Sequence, residues 1–165
     1  MKSANRKSHE HEQLRSAAGY DISRLSDTEK ATLAETLTDE ERRVILNQGT
    51  EPPFCGLLLE NKEEGVYACR LCGLPLFGSG EKFESGTGWP SFTGPFDPDH
   101  IGYHRDESHG MIRTEILCRR CDGHLGHVFE DGPAPSRRRY CLNSVSLEFI
   151  PEGAALPQRV QADLE

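Results

Sequence analysis

Two pairs of closely spaced cysteines constrain this chain more than any other feature of its sequence. Cys69 and Cys72 lie in "CRLCG", and Cys118 and Cys121 lie in "CRRCDG". Each pair can give two thiolates to one tetrahedral ion, and the glycine close behind each pair permits a tight turn. The spacing therefore predicts a structural Zn²⁺ held by four cysteines. Because four thiolates leave no open position for water, any catalysis must lie elsewhere.

A redox role is the alternative for either cysteine pair. A CxxC motif of the thioredoxin type lies at the start of a helix in a βαβ unit, and the pattern around neither pair predicts such a unit. Zinc binding is therefore the favoured interpretation, and it assigns four of the six cysteines.

Charge and composition narrow the class of protein. The chain has 27 acidic and 19 basic residues and a formal charge of −8, which a Zn(Cys)4 site would lower to about −10. Such a surface repels nucleic acid and anionic membranes. The N-terminal residues contain no apolar run typical of a signal peptide or a membrane span. We therefore expect a cytoplasmic protein, in which cysteines are metal ligands or redox centres rather than structural disulfides. We also expect it to be a monomer.

The chain divides into three regions. Residues 1–25 are polar and lack apolar periodicity, which predicts a flexible extension. Residues 26–151 are predicted to form one domain, and residues 152–165 to form a C-terminal tail.

Two kinds of local signal predict the structure of that domain. Ser26 with Glu29, and Thr38 with Glu41, match the capping box that starts a helix. Further along the chain, runs such as "GVYAC" and "SVSLEFI" alternate apolar and polar residues between glycines and prolines. The domain is therefore predicted to have short N-terminal helices and a β core.

A lone cysteine in "RRRYCLNSVSLEF" is the best candidate for a reactive group. If residues 139–149 form one strand, Arg139, Cys141 and Asn143 point to the same face. A small buried hydrophobe is the plainer interpretation of a free cysteine, but a core cysteine has no need of these polar neighbours. A nucleophilic thiol needs cationic or hydrogen-bonding neighbours, because its ordinary pKa of about 8.5 leaves little thiolate at neutral pH.

Two further segments offer groups for a site. "ESGTGWPSFTGPF" contains Trp89, the single tryptophan, among glycines and prolines, and "DGHLGHVFEDG" places His124 and His127 three residues apart. Each has an ordinary structural explanation, since Trp89 could anchor a core and the histidines could be exposed or bind metal. The four thiolates are better spaced for one ion, which disfavours histidine ligation.

The motifs "SGTGWPSF", "HLGHVFEDGP" and "RYCLNS", in this order beside the two cysteine pairs, resemble the methionine-R-sulfoxide reductases, the B class of methionine sulfoxide reductases. The resemblance spans residues 37–151. It implies a mainly β fold, in which two antiparallel sheets form an open, barrel-like sandwich with the zinc end remote from the active site. It also implies that the substrate is the R epimer of methionine sulfoxide, preferably within a peptide or protein.

The resemblance implies roles for individual residues. Cys141 matches the family's nucleophile, and Asn143 matches the group that helps to position the sulfoxide. His127 matches the proton donor or hydrogen-bond partner of the sulfoxide oxygen, and Arg139 matches a flanking cation. Substrate-binding roles are implied for Trp89, whose apolar face suits a methyl group, for His124 and for His104.

The implied mechanism needs a second thiol. Attack by Cys141 on the sulfoxide would form a sulfenic acid, which condenses with another cysteine to a disulfide that thioredoxin reduces. The usual family motif "SGCGWPSF" carries this resolving cysteine, but here the position is Thr87. Only Cys55, in "EPPFCG", is then unassigned, so we predict a Cys55–Cys141 disulfide. Direct reduction by glutathione or another external thiol is the alternative.

Two other classes of protein fit parts of the sequence. A zinc-ribbon-like binding module would explain the paired cysteines and would have no reactive thiol. A cysteine hydrolase using Cys141 and His127 would need an orienting third group and an oxyanion hole, neither of which the sequence indicates.

Overall fold

The computed structural model describes residues 14–157, and it shows a chain built mainly from short strands. Helices α1 (Asp27–Ala34) and α2 (Asp39–Glu41) come first, and a π-helical turn (Arg42–Leu46) continues α2. Nine strands follow within the described residues: β1 (Gly65–Cys69), β2 (Pro75–Gly78), β3 (Lys82–Phe83), β4 (Ser91–Phe92), β5 (Ile101–Asp106), β6 (Arg113–Cys118), β7 (His124–Phe129), β8 (Arg139–Leu142) and β9 (Leu147–Pro151). Short 3-10 turns lie at Ser79–Glu81, Pro98–His100, Ser108–Gly110 and Ser144–Ser146.

The strands of residues 14–157 form two antiparallel sheets. One has the order β2-β1-β9, and the other has the order β3-β4-β8-β7-β6-β5. The larger sheet ends at β3 and β5, so the described strands do not close into a barrel. The predicted fold class, a mainly β protein with two antiparallel sheets in an open arrangement, is confirmed.

Both predicted helix starts are confirmed. Ser26 Oγ accepts from Glu29 N, and Glu29 Oε1 accepts from Ser26 N. Thr38 and Glu41 form the same pair of bonds at α2. Each box satisfies backbone N–H groups that a helix start would otherwise expose. No helix within residues 14–157 is long and apolar enough to cross a membrane.

An aromatic cluster joins the two sheets. Phe77 of β2 stacks on Phe92 of β4 with ring centroids 4.7 Å apart, and Tyr67 of β1 meets Phe92 edge-on at 5.1 Å. Tyr140 of β8 packs against Phe77 at 5.7 Å, and all four rings are buried. Burying an aromatic side chain contributes about 2–3 kcal/mol. Because Tyr140 faces this core, its neighbours along β8 face the other way.

Residues 139–149, considered above as one possible strand, do not form a single strand. β8 ends at Leu142, the turn Ser144–Ser146 follows, and β9 begins at Leu147 in the other sheet. The polar residues of the turn explain the break, because Asn143 N donates to Leu125 O and Ser146 Oγ donates to His124 O. These bonds hold the turn against β7, where β8 ends.

The segment of residues 14–25 packs on the domain, which differs from the expected flexible extension. Ile22 and Leu25 are buried, Ala18 N donates to Asp97 Oδ2 at 2.9 Å, and Ser16 Oγ lies 2.8 Å from His100 Nε2. Isolated apolar residues in a polar segment are enough to anchor it when a cleft receives them. Residues 1–13 and 158–165 lie outside the described part of the chain, and residues 152–155 of the predicted tail are exposed.

Candidate active site and metal centre

The four paired cysteines meet at one point, as the sequence predicts. Cys69 ends β1 and Cys118 ends β6, and Cys72 and Cys121 lie in the turns that follow. All four are buried, and their sulfur atoms lie within 4.8 Å of one another. The Cys69–Cys121 and Cys72–Cys118 sulfur distances are both 3.5 Å. A tetrahedral ion with Zn–S bonds of about 2.3 Å would hold its ligands about 3.8 Å apart, so the thiols fit such an ion.

The electrostatics of this cluster also suit a cation. Hydrogen bonds from the other three thiols hold the pKa of Cys69 well below its usual value. Burial holds the pKa of Cys72 well above its usual value, and hydrogen bonding within the cluster raises that of Cys121. Only Cys69 is held toward its thiolate form without an ion, so the further thiolates of a four-cysteine site need a positive charge among them. An ion here would join β1 of one sheet to β6 of the other.

A second group of predicted residues lines a cavity of about 230 Å³. Five of the predicted site residues lie in it together: Cys141, His127, Asn143, Arg139 and Trp89. The other lining residues are Thr50, Thr87, Arg113, Gly126, Phe129 and Leu142. The cavity thus combines one thiol with aromatic walls and several polar groups, and none of the cysteines of the metal centre lines it.

Strand β8 presents Cys141 to the cavity. Tyr140 and Leu142 are buried on one face of β8, and Arg139 and Cys141 occupy the other. Cys141 lies opposite His127 of β7 in the ladder, which places the two residues on neighbouring strands. A Cβ atom at Gly126 would overlap the carbonyl oxygen of Cys141, so only glycine lets β7 approach β8 at this point.

The Cys141 thiol is mostly protonated at neutral pH. Burial raises its pKa to about 11, although the Arg139 charge and a hydrogen bond with Thr87 act in the opposite direction. Arg139 has other partners, since it forms two bonds of 2.9 and 3.1 Å with Asp131 and stacks on Phe129 at 4.4 Å. The expected cationic neighbour is present, but burial outweighs it.

Glu51 holds two sides of the cavity together, and sequence reasoning missed it. Its backbone N–H donates to Asn143 Oδ1 at 2.9 Å, and its carbonyl accepts from the indole N–H of Trp89 at 2.9 Å. The Glu51 side chain is buried and accepts from Val145 N. A glutamate before two prolines gave no sign of this role, because its contacts are all distant in sequence.

His127 has a carboxylate partner that the sequence did not reveal. His127 Nε2 lies 2.7 Å from Asp106 Oδ2, and Arg113 lies 3.3 Å from the same oxygen. Burial lowers the pKa of His127, and the bond with Asp106 opposes this. Hydrogen bonds from Ser108 and His127 hold the pKa of Asp106 well below its usual value.

The structure does not bring His124 and His104 into the cavity. His124 is buried, with Nδ1 2.6 Å from Glu115 Oε2. His104 is largely exposed, and its Nδ1 lies 3.2 Å from Glu115 Oε1. Both rings face Glu115 and neither is among the residues that line the cavity.

Cys55 is exposed and lies on a loop that contacts both sides of the cavity. Phe54 N donates to Gly88 O at 2.7 Å, beside Thr87 and Trp89. Leu58 N donates to Ser144 Oγ at 3.3 Å, just after Asn143. Cys55 and Cys141 are both free thiols, and Cys55 itself does not line the cavity.

An open β fold with a four-cysteine centre and one thiol in a tryptophan-walled cavity is the arrangement expected of a methionine sulfoxide reductase. The SelR domain matches residues 37–151. The chain belongs to this family, the methionine-R-sulfoxide reductases of the MsrB class, which confirms the resemblance drawn from the motifs.

Curated proteins of the MsrB class are similar in sequence to this chain over most of its length. A "Peptide methionine sulfoxide reductase MsrB" of Caulobacter vibrioides is 60% identical over 142 residues, which are 86% of this chain and 89% of the relative. One from Xylella fastidiosa is 58% identical over 141 residues, 86% of this chain and 91% of the relative. One from Methanosarcina mazei is 55% identical over 116 residues, 70% of this chain and 83% of the relative.

Replacing one cysteine of the metal centre is expected to unfold the protein. Structural zinc contributes an apparent binding free energy of about 10–16 kcal/mol, which is comparable to the stability of a whole domain. If the four cysteines hold zinc, Cys118→Ser should lose both the bound metal and cooperative unfolding, measured by metal analysis and circular dichroism. The exposed Cys55→Ser should retain both. A zinc-free Cys118→Ser protein that is soluble and fully folded would contradict this prediction.

The close approach of β7 to β8 predicts a large cost for a single methyl group. In Gly126→Ala the new Cβ would overlap the backbone of Cys141, so one strand must shift, at a cost of about 1–3 kcal/mol. Gly102→Ala is the control, because its nearest atoms would be 3.8 and 3.9 Å away. Urea unfolding of both variants measures the difference, and equal stabilities would refute the packing argument.

Proposed function

We propose that the protein reduces the R epimer of methionine sulfoxide, within peptides or proteins, to methionine, and that Cys141 is the nucleophile. The observation that carries this proposal is the cavity in which Cys141 lies with Trp89, His127 and Asn143. The membership of the chain in the MsrB class supports reduction of methionine sulfoxide in general.

The first step transfers oxygen from substrate to enzyme. A sulfoxide sulfur becomes electrophilic when its oxygen is protonated or strongly hydrogen-bonded, so a thiolate and an acid must act on it together. The Cys141 thiolate attacks sulfur, and oxygen passes to Cys141. The thiol and the sulfoxide give a sulfenic acid and a thioether, so that cysteine loses two electrons and the substrate sulfur gains them.

The cavity walls suit the other parts of the substrate. Trp89 is fixed through its indole N–H to the Glu51 carbonyl, so its apolar face is available to the substrate methyl group. Asn143 is buried, with its amide held by Leu125 O and Glu51 N. Such fixed groups orient the sulfoxide at low entropic cost. Arg139 flanks the sulfur of Cys141.

The second step resolves the sulfenic acid. We propose that the Cys55 thiol condenses with it, forming a Cys55–Cys141 disulfide and releasing water, and that thioredoxin then reduces this disulfide. The contacts of Phe54 with Gly88 and of Leu58 with Ser144 support the proposal, because they hold the Cys55 loop beside the cavity. A disulfide needs Cα atoms within about 7 Å, and we expect movement of the Cys55 loop to close any gap between the two thiols.

The proposal also covers the bound metal, the cellular location, the oligomeric state and the substrates. Cys69, Cys72, Cys118 and Cys121 would hold a structural Zn²⁺ that joins the two sheets. We propose a cytoplasmic location, because that compartment keeps thiols such as these six free cysteines reduced and contains thioredoxin. We also propose that the enzyme acts as a monomer on oxidised proteins and peptides, and not on nucleic acid or membranes.

Removing the nucleophile is expected to abolish the reaction without unfolding the protein. Cys141→Ser retains nearly the same shape, but its hydroxyl is far less nucleophilic. The purified variant and parent are incubated with dithiothreitol and each epimer of a dabsyl-methionine sulfoxide, and zinc content and circular dichroism provide the folding control. The parent should consume only the R epimer and the variant neither. Activity in Cys141→Ser would rule out the assigned nucleophile.

Removing the resolving thiol should separate the two steps. Cys55→Ser is expected to release one equivalent of methionine in a single turnover at the parent rate, and to turn over slowly with thioredoxin. After oxidation with one equivalent of substrate, mass spectrometry should find the Cys55–Cys141 disulfide in the parent. If Cys55→Ser recycles with thioredoxin as fast as the parent, an external thiol reduces the sulfenic acid and Cys55 has no part in resolution.

A further inference from the structure

Asp106 occupies a position behind His127 that the reaction described above does not use. It ends β5, two strands away from His127, and the sheet brings their side chains together. The Asp106 Oδ2 to His127 Nε2 distance is 2.7 Å, which is short for a hydrogen bond and typical of one to an ionised carboxylate.

This bond decides which ring nitrogen carries the proton of neutral His127. Asp106 stays ionised because Ser108 and His127 hydrogen-bond to it, and an ionised carboxylate only accepts hydrogen bonds. Nε2 must therefore be the protonated nitrogen. The other nitrogen, Nδ1, then has a free lone pair, and no side chain or backbone group of residues 14–157 is hydrogen-bonded to it.

Cys141 is the group that needs such a base. Its thiol is protonated at neutral pH, because burial raises its pKa to about 11. His127 is its partner in the ladder between β7 and β8, and both side chains line the cavity. A neutral imidazole with Nδ1 unprotonated can accept the thiol proton, whereas the opposite tautomer would present an N–H to it.

We propose that Asp106 is a positioning residue that fixes His127 as the base for Cys141 and then, once His127 is charged, as the acid for the sulfoxide oxygen. This inference rests on the proposed function, because it assumes that Cys141 and His127 act on the sulfoxide.

A single proton moves in this step, and it passes only between Cys141, His127 and the sulfoxide oxygen. The Cys141 proton moves to Nδ1 of His127 and forms a thiolate beside an imidazolium, whose second N–H stays bonded to Asp106. The thiolate attacks the sulfoxide sulfur while Nδ1 returns the proton to the departing oxygen. That oxygen ends on Cys141 as the sulfenic acid hydroxyl, the thioether leaves, and His127 is neutral again.

The charges around His127 determine the expected pH dependence. Titratable or charged groups face or flank it from four strands: Asp106 on β5, Arg113 and Glu115 on β6, His124 on β7, and Arg139 and Cys141 on β8. Burial is the main effect that lowers the pKa of His127, and Asp106 opposes it. Removing the Asp106 charge would therefore lower this pKa further. A base is lost as pH falls through its pKa, so the acid limb of the rate would move to lower pH.

A purely structural role for Asp106 is the alternative that the experiment must separate. Asp106 Oδ1 also accepts from Ser108 N at 3.0 Å, and Oδ2 pairs with Arg113. An asparagine at this position keeps an oxygen for Ser108 N but has no charge, so Asp106→Asn retains the turn while removing the carboxylate from His127. Glu107→Gln is the matched control, because it removes the same charge from an exposed neighbour that pairs with Arg105.

Single-turnover formation of methionine tests the proposal. The single-turnover rate of Asp106→Asn should be roughly 100-fold lower than that of the parent, as for loss of general acid–base catalysis. The acid limb of its pH–rate profile should lie lower by about one pH unit or more. Glu107→Gln should match the parent. If Asp106 acts through His127, the double variant Asp106→Asn with His127→Ala should be no slower than His127→Ala alone. Zinc content and thermal unfolding confirm that each variant is folded.

Nitrogen NMR of labelled histidine in the parent supplies a readout that needs no variant to fold. Neutral His127 should carry its proton on Nε2, and a proton on Nδ1 would overturn the proposal. An Asp106→Asn variant with the rate and acid limb of the parent would overturn it as well. In both cases a parent that reduces the R epimer and a Cys141→Ser variant that does not would leave the proposed function standing.

Discussion

The pairing of β7 with β8 is the contact on which the site depends. It sets His127 beside Cys141 through the register of an antiparallel ladder, in which a slip of β8 by one residue would turn the Cys141 side chain to the opposite face. Gly126 permits the approach, and Tyr140 fixes the orientation of β8 by packing into the aromatic core. The relative position of the His127 and Cys141 side chains is thus a property of the sheet rather than of a loop.

Burial gives the cavity two opposing properties. Half-buried Trp89 and Phe129 give the cavity an apolar wall that suits a methyl thioether, but burial also disfavours the Cys141 thiolate. Arg139 does not reverse this effect, because its charge is shared with Asp131. Because the thiolate is the nucleophilic form, a protonated Cys141 reacts slowly with electrophiles until its proton is removed.

Local signals in the sequence predicted what depends on local geometry. The paired cysteines, the two capping boxes, and the common face of Arg139 and Cys141 follow from spacing alone, and the motifs identified the family. Contacts between distant segments could not be predicted in this way. Glu51 and Asp106 reach the site through loop and sheet packing, and the turn after Asn143 depends on hydrogen bonds to β7. The packing of Ile22 depends on a cleft that only the folded domain provides.

Trp89 gives the cavity an optical property. It is the single tryptophan of the chain, so its ultraviolet emission arises from one place, the wall of the cavity. Its indole N–H is bonded to the carbonyl of Glu51, four residues before Cys55 on the same loop. The unlabelled protein therefore contains a fluorophore that senses both the contents of the cavity and any displacement of that loop.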